Sequence, residues 1–126
     1  MDEPLRILLV DDEEDFLEST SRRLHRRGFL VRTATRCEEA MAAVQERWPG
    51  VVVLDVMLPG TSGMECLRRM KRTAPRLPVV MLTAHASIEA GLQGIEQGAS
   101  DYCLKPIELD ELVEKLRIAV KDAGGR

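Results

Sequence analysis

Residues 51–55 read Val-Val-Val-Leu-Asp, four consecutive apolar residues that end on an acidic one. An apolar run without alternation is typical of a strand covered on both faces, as in the middle of a parallel sheet. Residues 7–10 (Ile-Leu-Leu-Val) and 79–82 (Val-Val-Met-Leu) have the same character. The three runs predict the centre of a parallel sheet.

Stretches of helical period alternate with these runs, as in successive βαβ units. The predicted strands are 5–10, 29–33, 51–54, 79–82 and 101–104. The predicted apolar stripes of the helices are Phe16, Thr20 and Leu24; Cys37, Ala40, Met41, Val44 and Trp48; Met64, Leu67 and Met70; Ile88, Leu92 and Ile95; and Leu109, Leu112, Val113, Leu116 and Val120. We predict an α/β fold with five strands and five helices in a doubly wound, three-layer sandwich, and we expect Gly28 to end the first helix.

The bulk composition excludes several classes of protein. The chain has 126 residues, the size of one domain. With a formal net charge of −3, it lacks the basic balance that direct binding to nucleic acid or an anionic membrane requires. No apolar run is long enough to span a bilayer, and the first residues do not resemble a signal peptide.

Three cysteines, Cys37, Cys66 and Cys103, are scattered along the chain without Cys-x-x-Cys spacing. An odd number of cysteines cannot all pair within one chain. We interpret them as reduced thiols, and together with the missing signal peptide this interpretation predicts a cytoplasmic protein.

Reactive side chains follow four of the predicted strands: Asp11 and Asp12, Asp55, Thr83 and Lys105. Each has a plainer explanation taken alone, such as a helix cap or a turn, but the carboxyl ends of parallel strands meet at one edge of a sheet. Clustered carboxylates repel one another unless one is protonated or a cation binds. Hard oxygen ligands favour Mg²⁺, or alternatively Mn²⁺.

Such a site is suited to phosphoryl transfer. A cation neutralises the cluster, so Asp55 can attack a phosphorus atom as a carboxylate nucleophile and form an aspartyl phosphate. Lys105 supplies positive charge and the Thr83 hydroxyl supplies a hydrogen bond to the transferred group.

The same residues resemble the receiver domains of bacterial two-component response regulators over nearly the whole chain. The resemblance rests on Val-Asp11-Asp12, Leu-Asp55-Val-Met-Leu-Pro-Gly, Thr83-Ala and Lys105-Pro. It implies a flavodoxin-like (βα)5 fold with strand order 2-1-3-4-5. It also implies a switch that accepts a phosphoryl group on Asp55 from the phosphohistidine of a sensor histidine kinase or phosphotransfer protein.

The resemblance further assigns a metal site. The side chains of Asp12 and Asp55 and the backbone carbonyl of Met57 would bind Mg²⁺, and Asp11 would act largely through water. Slow autophosphorylation and autodephosphorylation are expected, but the protein is itself the substrate, so we do not class it as an enzyme.

Around the phosphoryl group, the resemblance places Lys105, Thr83 and the backbone of Ala84, with Pro106 in a structural role after a cis peptide bond. Thr83 and Tyr102 would form the switch pair. The change would pass to the face made by helix four, strand five and helix five, which is also a possible homodimer face. The glycines in helix four indicate an element of low intrinsic stability.

Three other functions compete with this one. A haloacid-dehalogenase-like phosphatase needs an acid/base Asp two residues after its nucleophile, where this chain has Met57. A flavodoxin-like FMN carrier needs a phosphate-binding first loop, and the acidic loop here would repel phosphate. A pseudo-receiver that works without phosphorylation would not need the intact set of reactive residues.

The domain prediction is one receiver domain over residues 1–122, followed by a short tail or linker stub at 123–126. The sequence leaves open whether the chain is a complete regulator or the receiver of a longer protein.

Overall fold

The predicted apolar runs form the strands of one parallel sheet. The computed structural model describes residues 3–84 and 88–124. Its strands are β1 (Arg6–Val10), β2 (Leu30–Ala34), β3 (Val51–Leu54), β4 (Val79–Thr83) and β5 (Asp101–Leu104). All neighbouring pairs are parallel, in the order β2-β1-β3-β4-β5. The predicted topology is confirmed, and strand bounds differ from the predicted ones by one residue at most.

Five helices connect or follow the strands: α1 (Glu14–Arg26), α2 (Cys37–Gln45), α3 (Gly63–Thr73), α4 (Ile88–Glu96) and α5 (Leu109–Asp122). Local signals explain two of their ends. The Ser62 side chain accepts a hydrogen bond from the Glu65 N–H at 3.1 Å, which caps the start of α3. Gly28 has a φ of +94° just after α1, as the predicted helix end requires.

The sheet is buried on both faces. In β1, Leu8 and Val10 pack with α2 and α3, whereas Ile7 and Leu9 pack with α1 and α5 on the other face. This two-sided burial explains why the central strands read as continuous apolar runs. None of the helices within the described ranges has the length and apolar character needed to cross a membrane.

The predicted apolar stripe of α4 is wrong. Leu92 and Ile95 are 62% and 46% exposed, and within residues 89–96 of the helix Gly94 is the buried one. The side chain of Ile88 lies outside the described part of the structure. The reason is how the helix packs: a methyl group on Gly91 would lie only 3.2 Å from the Tyr102 ring, so glycine backbone makes this contact while Leu92 and Ile95 point outward.

Trp48 lies beyond the end of α2, after Arg47, which adopts a φ of 60°. Trp48 is only partly buried, and it packs against the core on one side. The guanidinium of Arg32 lies 5.1 Å from the centroid of its ring. The predicted core role of Trp48 is therefore only partly correct.

The interpretation of all three cysteines as reduced thiols is also wrong. The structure joins Cys37, the first residue of α2, to Cys66 in α3 by a disulfide with a Cα–Cα distance of 5.7 Å. Both residues are fully buried, and Cys103 is a buried free cysteine. Sequence spacing did not reveal the pair because it depends on how closely α2 and α3 pack.

We predict that the non-reduced protein, unfolded in denaturant, exposes one alkylatable thiol, from Cys103, and exposes three after reduction. Mass spectrometry after alkylation counts them. The bond spans 29 residues, and a cross-link over such a loop stabilises a fold by about 3–4 kcal/mol. Reduction should therefore lower the melting temperature. As a control, Cys37→Ser should show two thiols without reductant; three thiols in the non-reduced wild type would contradict the pairing.

Candidate functional site

The carboxyl edge of the sheet fixes the backbone of two buried aspartates. The Asp11 N–H donates to the Ala34 carbonyl at 3.0 Å, and the Asp55 N–H donates to the Val10 carbonyl at 2.9 Å. These bonds extend the sheet one residue past the strands. Asp11 is 2% exposed and Asp55 is 6% exposed, whereas Asp12 is exposed.

The three aspartates form a cluster. One carboxylate oxygen from each of Asp11, Asp12 and Asp55 lies within 4.8 Å of the others. Burial raises the pKa of Asp55, and the nearby charge of Asp11 raises it further; the Met57 N–H, 3.1 Å from Oδ1 of Asp55, and the Thr83 hydroxyl oppose these effects through hydrogen bonds. The cluster therefore disfavours the ionised form of Asp55.

Lys105 provides the positive charge that faces this cluster. Its Nζ lies 2.6 Å from Oδ2 of Asp11, 2.6 Å from Oε1 of Glu13 and 4.0 Å from Oδ2 of Asp55. Burial by itself lowers the pKa of Lys105, but the hydrogen bonds with Asp11 and Glu13 outweigh it, so the pKa is raised. Lys105 is therefore held as an ammonium ion.

Two side chains at this site, those of Glu13 and Phe16, were not predicted from the sequence. Glu13 hydrogen-bonds Lys105, and the ring of Phe16 lies with its centroid 4.2 Å from the ammonium, at cation–π distance. The only signal in the sequence was position: Glu13 follows the acidic pair and occupies the N-cap position of α1, without a capping hydrogen bond from its side chain, and Phe16 lies in the first turn of that helix. The helical period of the sequence places Phe16 only in an apolar stripe and does not indicate its contact with Lys105.

The role of Gly63 at this site was also not predicted from the sequence. A methyl group built on Gly63 would lie 2.0 Å from the Asp55 carbonyl oxygen and 2.7 Å from Cα of Val56. Its N–H donates to the Val56 carbonyl at 2.9 Å. Only glycine lets the start of α3 approach the chain this closely beside Asp55.

The predicted switch pair lies on adjacent strands. Met81 pairs with Tyr102, and Thr83 pairs with Leu104, so Thr83 and Tyr102 lie on the same face of the sheet. Thr83 is fully buried and Tyr102 is partly buried.

The remaining predicted residues are Ala84, Pro106 and Met57. The Lys105 N–H donates to the Thr83 carbonyl at 2.8 Å, and the Lys105–Pro106 peptide bond is cis, as expected. Ala84 is exposed, and the Met57 side chain is 54% exposed. A groove lined in part by Gly50 and Pro78 lies at the other end of the sheet and contains none of the clustered carboxylates.

A family model described as the response regulator receiver domain matches residues 7–117. The chain therefore belongs to the receiver domains of two-component response regulators, which are regulatory domains that receive signals from histidine kinases.

Two curated relatives show how much of such a protein this chain represents. It is 38% identical over 122 residues to the probable transcriptional regulatory protein TcrX of Mycobacterium tuberculosis, covering 97% of this chain. It is 39% identical over 120 residues to the phosphate regulon transcriptional regulatory protein PhoB of Pseudomonas aeruginosa, covering 94%. The match covers 52% of each relative, so the chain spans about half their length.

Solved structures agree with the fold. A CheY-like receiver domain protein from Methanospirillum hungatei is 29% identical, with a TM-score of 0.90 and coverage of 97% of this chain and 98% of that one. A response regulator from Burkholderia pseudomallei, solved with a phosphorylated aspartic acid, a calcium ion and citrate, is 26% identical, with a TM-score of 0.85 and coverage of 96% and 71%.

We predict that Asp55→Asn stabilises the fold at pH 7 in a chelator, by on the order of 1 kcal/mol in urea denaturation. In the folded wild type the pKa of Asp55 is raised above 3.8, so the folded protein binds the proton of this carboxyl group more tightly than the unfolded chain does. Ionised Asp55 therefore lowers the free energy of unfolding, and asparagine removes this effect. The gain should shrink as the pH falls towards 3.8.

The matched control is Asp11→Asn, which makes the same change in charge. It removes a buried partner of Lys105 and should lower stability instead. Equal effects of the two substitutions, or a gain for Asp55→Asn that does not change with pH, would contradict this account of the cluster.

Proposed function

We propose that this domain is a phosphorylation switch in which Asp55 accepts a phosphoryl group from the phosphohistidine of a sensor histidine kinase or phosphotransfer protein. The observation that carries the proposal is the buried carboxyl group of Asp55 at a strand end, beside two further aspartates and a lysine whose side chain is 10% exposed. The related Burkholderia structure with a phosphorylated aspartic acid supports it.

The proposed step forms a bond between a carboxylate oxygen of Asp55 and phosphorus while the P–N bond of the phosphohistidine breaks. The imidazole leaves with the bonding electron pair. Oδ2 of Asp55 faces Lys105, while Oδ1 accepts from the Met57 N–H, so Oδ2 is positioned beside the charge that would meet a phosphoryl oxygen. The Thr83 hydroxyl and the Ala84 backbone would donate hydrogen bonds to the same group.

The cluster fits a hard divalent cation. Its ligand atoms are carboxylate oxygens, which suit Mg²⁺ or Mn²⁺, and the three negative charges call for a cation. We propose that Asp12, Asp55 and the Met57 carbonyl hold Mg²⁺, with Asp11 acting largely through water. When bound, the ion supplies positive charge to the phosphoryl oxygens.

The face formed by α4, β5 and α5 is the proposed output surface. Four apolar side chains there are 46–62% exposed: Leu92, Ile95, Leu104 and Ile118. Exposed apolar side chains on neighbouring elements support a role in binding a partner or a second copy of the domain. In this proposal, Thr83 moves towards the phosphoryl group and Tyr102 turns inward behind it, which alters this face.

The proposed domain occupies residues 1–122, and 123–126 is a tail or linker stub, of which residues 125 and 126 lie outside the described structure. Slow autophosphorylation is part of the proposal, and slow hydrolysis of the aspartyl phosphate resets the switch. In this proposal the domain itself does not bind nucleic acid; the two relatives are named as transcriptional regulatory proteins. A cytoplasmic location stays a prediction, because the cysteine pair removes one of its two supports.

Acetyl phosphate tests the acceptor directly. We expect intact-protein mass spectrometry to show a gain of one phosphoryl group that requires Mg²⁺ and is lost in Asp55→Asn. Asp122→Asn, the same substitution at the end of α5, should retain the gain. Folded protein that binds Mg²⁺ but gains no mass would favour a pseudo-receiver, and rapid turnover of unrelated phosphate esters would favour a phosphatase.

Thr83→Ala tests the switch. The variant should still be phosphorylated but should transmit the conformational change to α4 only weakly. It lacks the hydroxyl group that would move towards the phosphoryl group on Asp55. Amide chemical shifts of α4, recorded before and after phosphorylation, measure the transmission. Thr20→Ala, a buried threonine on α1, is the control. Equal shifts in wild type and Thr83→Ala would refute this role.

A further inference from the structure

Two glycines of α4, Gly91 and Gly94, lie towards the sheet. Gly94 is buried and Gly91 is partly buried, while Leu92 and Ile95 are exposed. A glycine inside a helix costs about 1 kcal/mol relative to alanine, so two of them in a helix of 9 residues weaken it substantially.

Only one of these glycines makes a close approach to an aromatic ring. A methyl group built on Gly91 would lie 3.2 Å from both Cγ and Cδ1 of Tyr102 and 3.4 Å from Cδ2. Carbon atoms pack optimally at about 3.5–4.0 Å. The same methyl group on Gly94 would lie 3.6 Å from Cγ of Met81 and 4.0 Å from Cβ of Ala99, which is ordinary contact. The ring of Tyr102 therefore occupies space that any side chain at residue 91 would share.

We propose that Gly91 is a positioning residue for the switch: its missing side chain provides the space in which the Tyr102 ring rests while Asp55 is unphosphorylated. This inference rests on the proposed function, in which the ring moves after phosphorylation. The ring packs directly against the backbone of α4, with no side chain of residue 91 between them. Rotation of the ring would therefore remove a contact made by the helix backbone itself.

Linkage gives the proposal a measurable consequence. A substitution at Gly91 disfavours the resting position of the ring without altering the carboxylate cluster. A phosphoryl analogue that prefers the other ring position should then bind more tightly, because part of the conformational change has already been made. Gly94→Ala makes the same change in helix propensity on the same helix without the tight contact.

The chain contains one tyrosine, so fluorotyrosine labelling places a single ¹⁹F probe on Tyr102. We compare wild type, Gly91→Ala and Gly94→Ala, each titrated with beryllofluoride and Mg²⁺. In unliganded Gly91→Ala the resonance should move towards the position of saturated wild type. Its beryllofluoride affinity should rise by about fivefold, the lower range of typical coupling between sites. Gly94→Ala should match wild type in both measurements.

An unliganded Gly91→Ala resonance at the wild-type position, or a beryllofluoride affinity equal to or weaker than wild type, would overturn the proposal. Failure of the proposed function gives a different result: a wild type that neither accepts a phosphoryl group nor binds beryllofluoride. In that case the inference about Gly91 fails with it.

A second set of variants tests the contact itself. Tyr102→Leu removes the ring, so in that background Gly91→Ala should raise the melting temperature through its helix propensity, as Gly94→Ala does. With Tyr102 present, the steric conflict should cancel that gain. Equal gains in both backgrounds would show that the ring and residue 91 do not conflict.

Discussion

The ammonium group of Lys105 is the counter-charge on which the acidic edge of the sheet depends. It lies within 2.6 Å of oxygens from both Asp11 and Glu13, but 4.0 Å from the nearest oxygen of Asp55. Asp55 therefore receives less compensation for its burial, and its pKa is raised. The carboxyl group whose ionised form is disfavoured by burial is the one that the proposed chemistry uses. Such a perturbed group in a cluster of charges is characteristic of a functional site.

The parallel topology brings these groups together. Lys105 and Asp11 are 94 residues apart in the chain, yet both follow strands that end at the same edge. Local backbone constraints then determine the geometry. The N–H groups of Asp11 and Asp55 continue the sheet, and Gly63 lets α3 begin close to the Asp55 carbonyl. A site built in this way depends on strand order first and on side-chain chemistry second.

This dependence explains what could be predicted from the sequence. Two-sided burial and parallel strand order can both be recognised in the sequence pattern. They predict the central strands and the convergence of Asp55, Thr83 and Lys105. The Cys37–Cys66 bond and the contacts of Glu13 depend on distances between elements, which periodicity does not contain. The prediction of the buried side of α4 was wrong for a related reason. An apolar stripe predicts burial only when side chains, rather than backbone, make the contact.

The two sides of the site also differ in how they can respond to a change at Asp55. Strand β3 is hydrogen-bonded to β1 on one side and β4 on the other, and all of its residues are buried, so a shift of β3 would disturb the whole core. By contrast, β5 is an edge strand, and α4 contains two glycines and presents Leu92 and Ile95 to solvent. A rearrangement follows the elements that cost least to move. Movement driven from Asp55 should therefore appear in α4 and β5, while the strands that hold the aspartates stay in place.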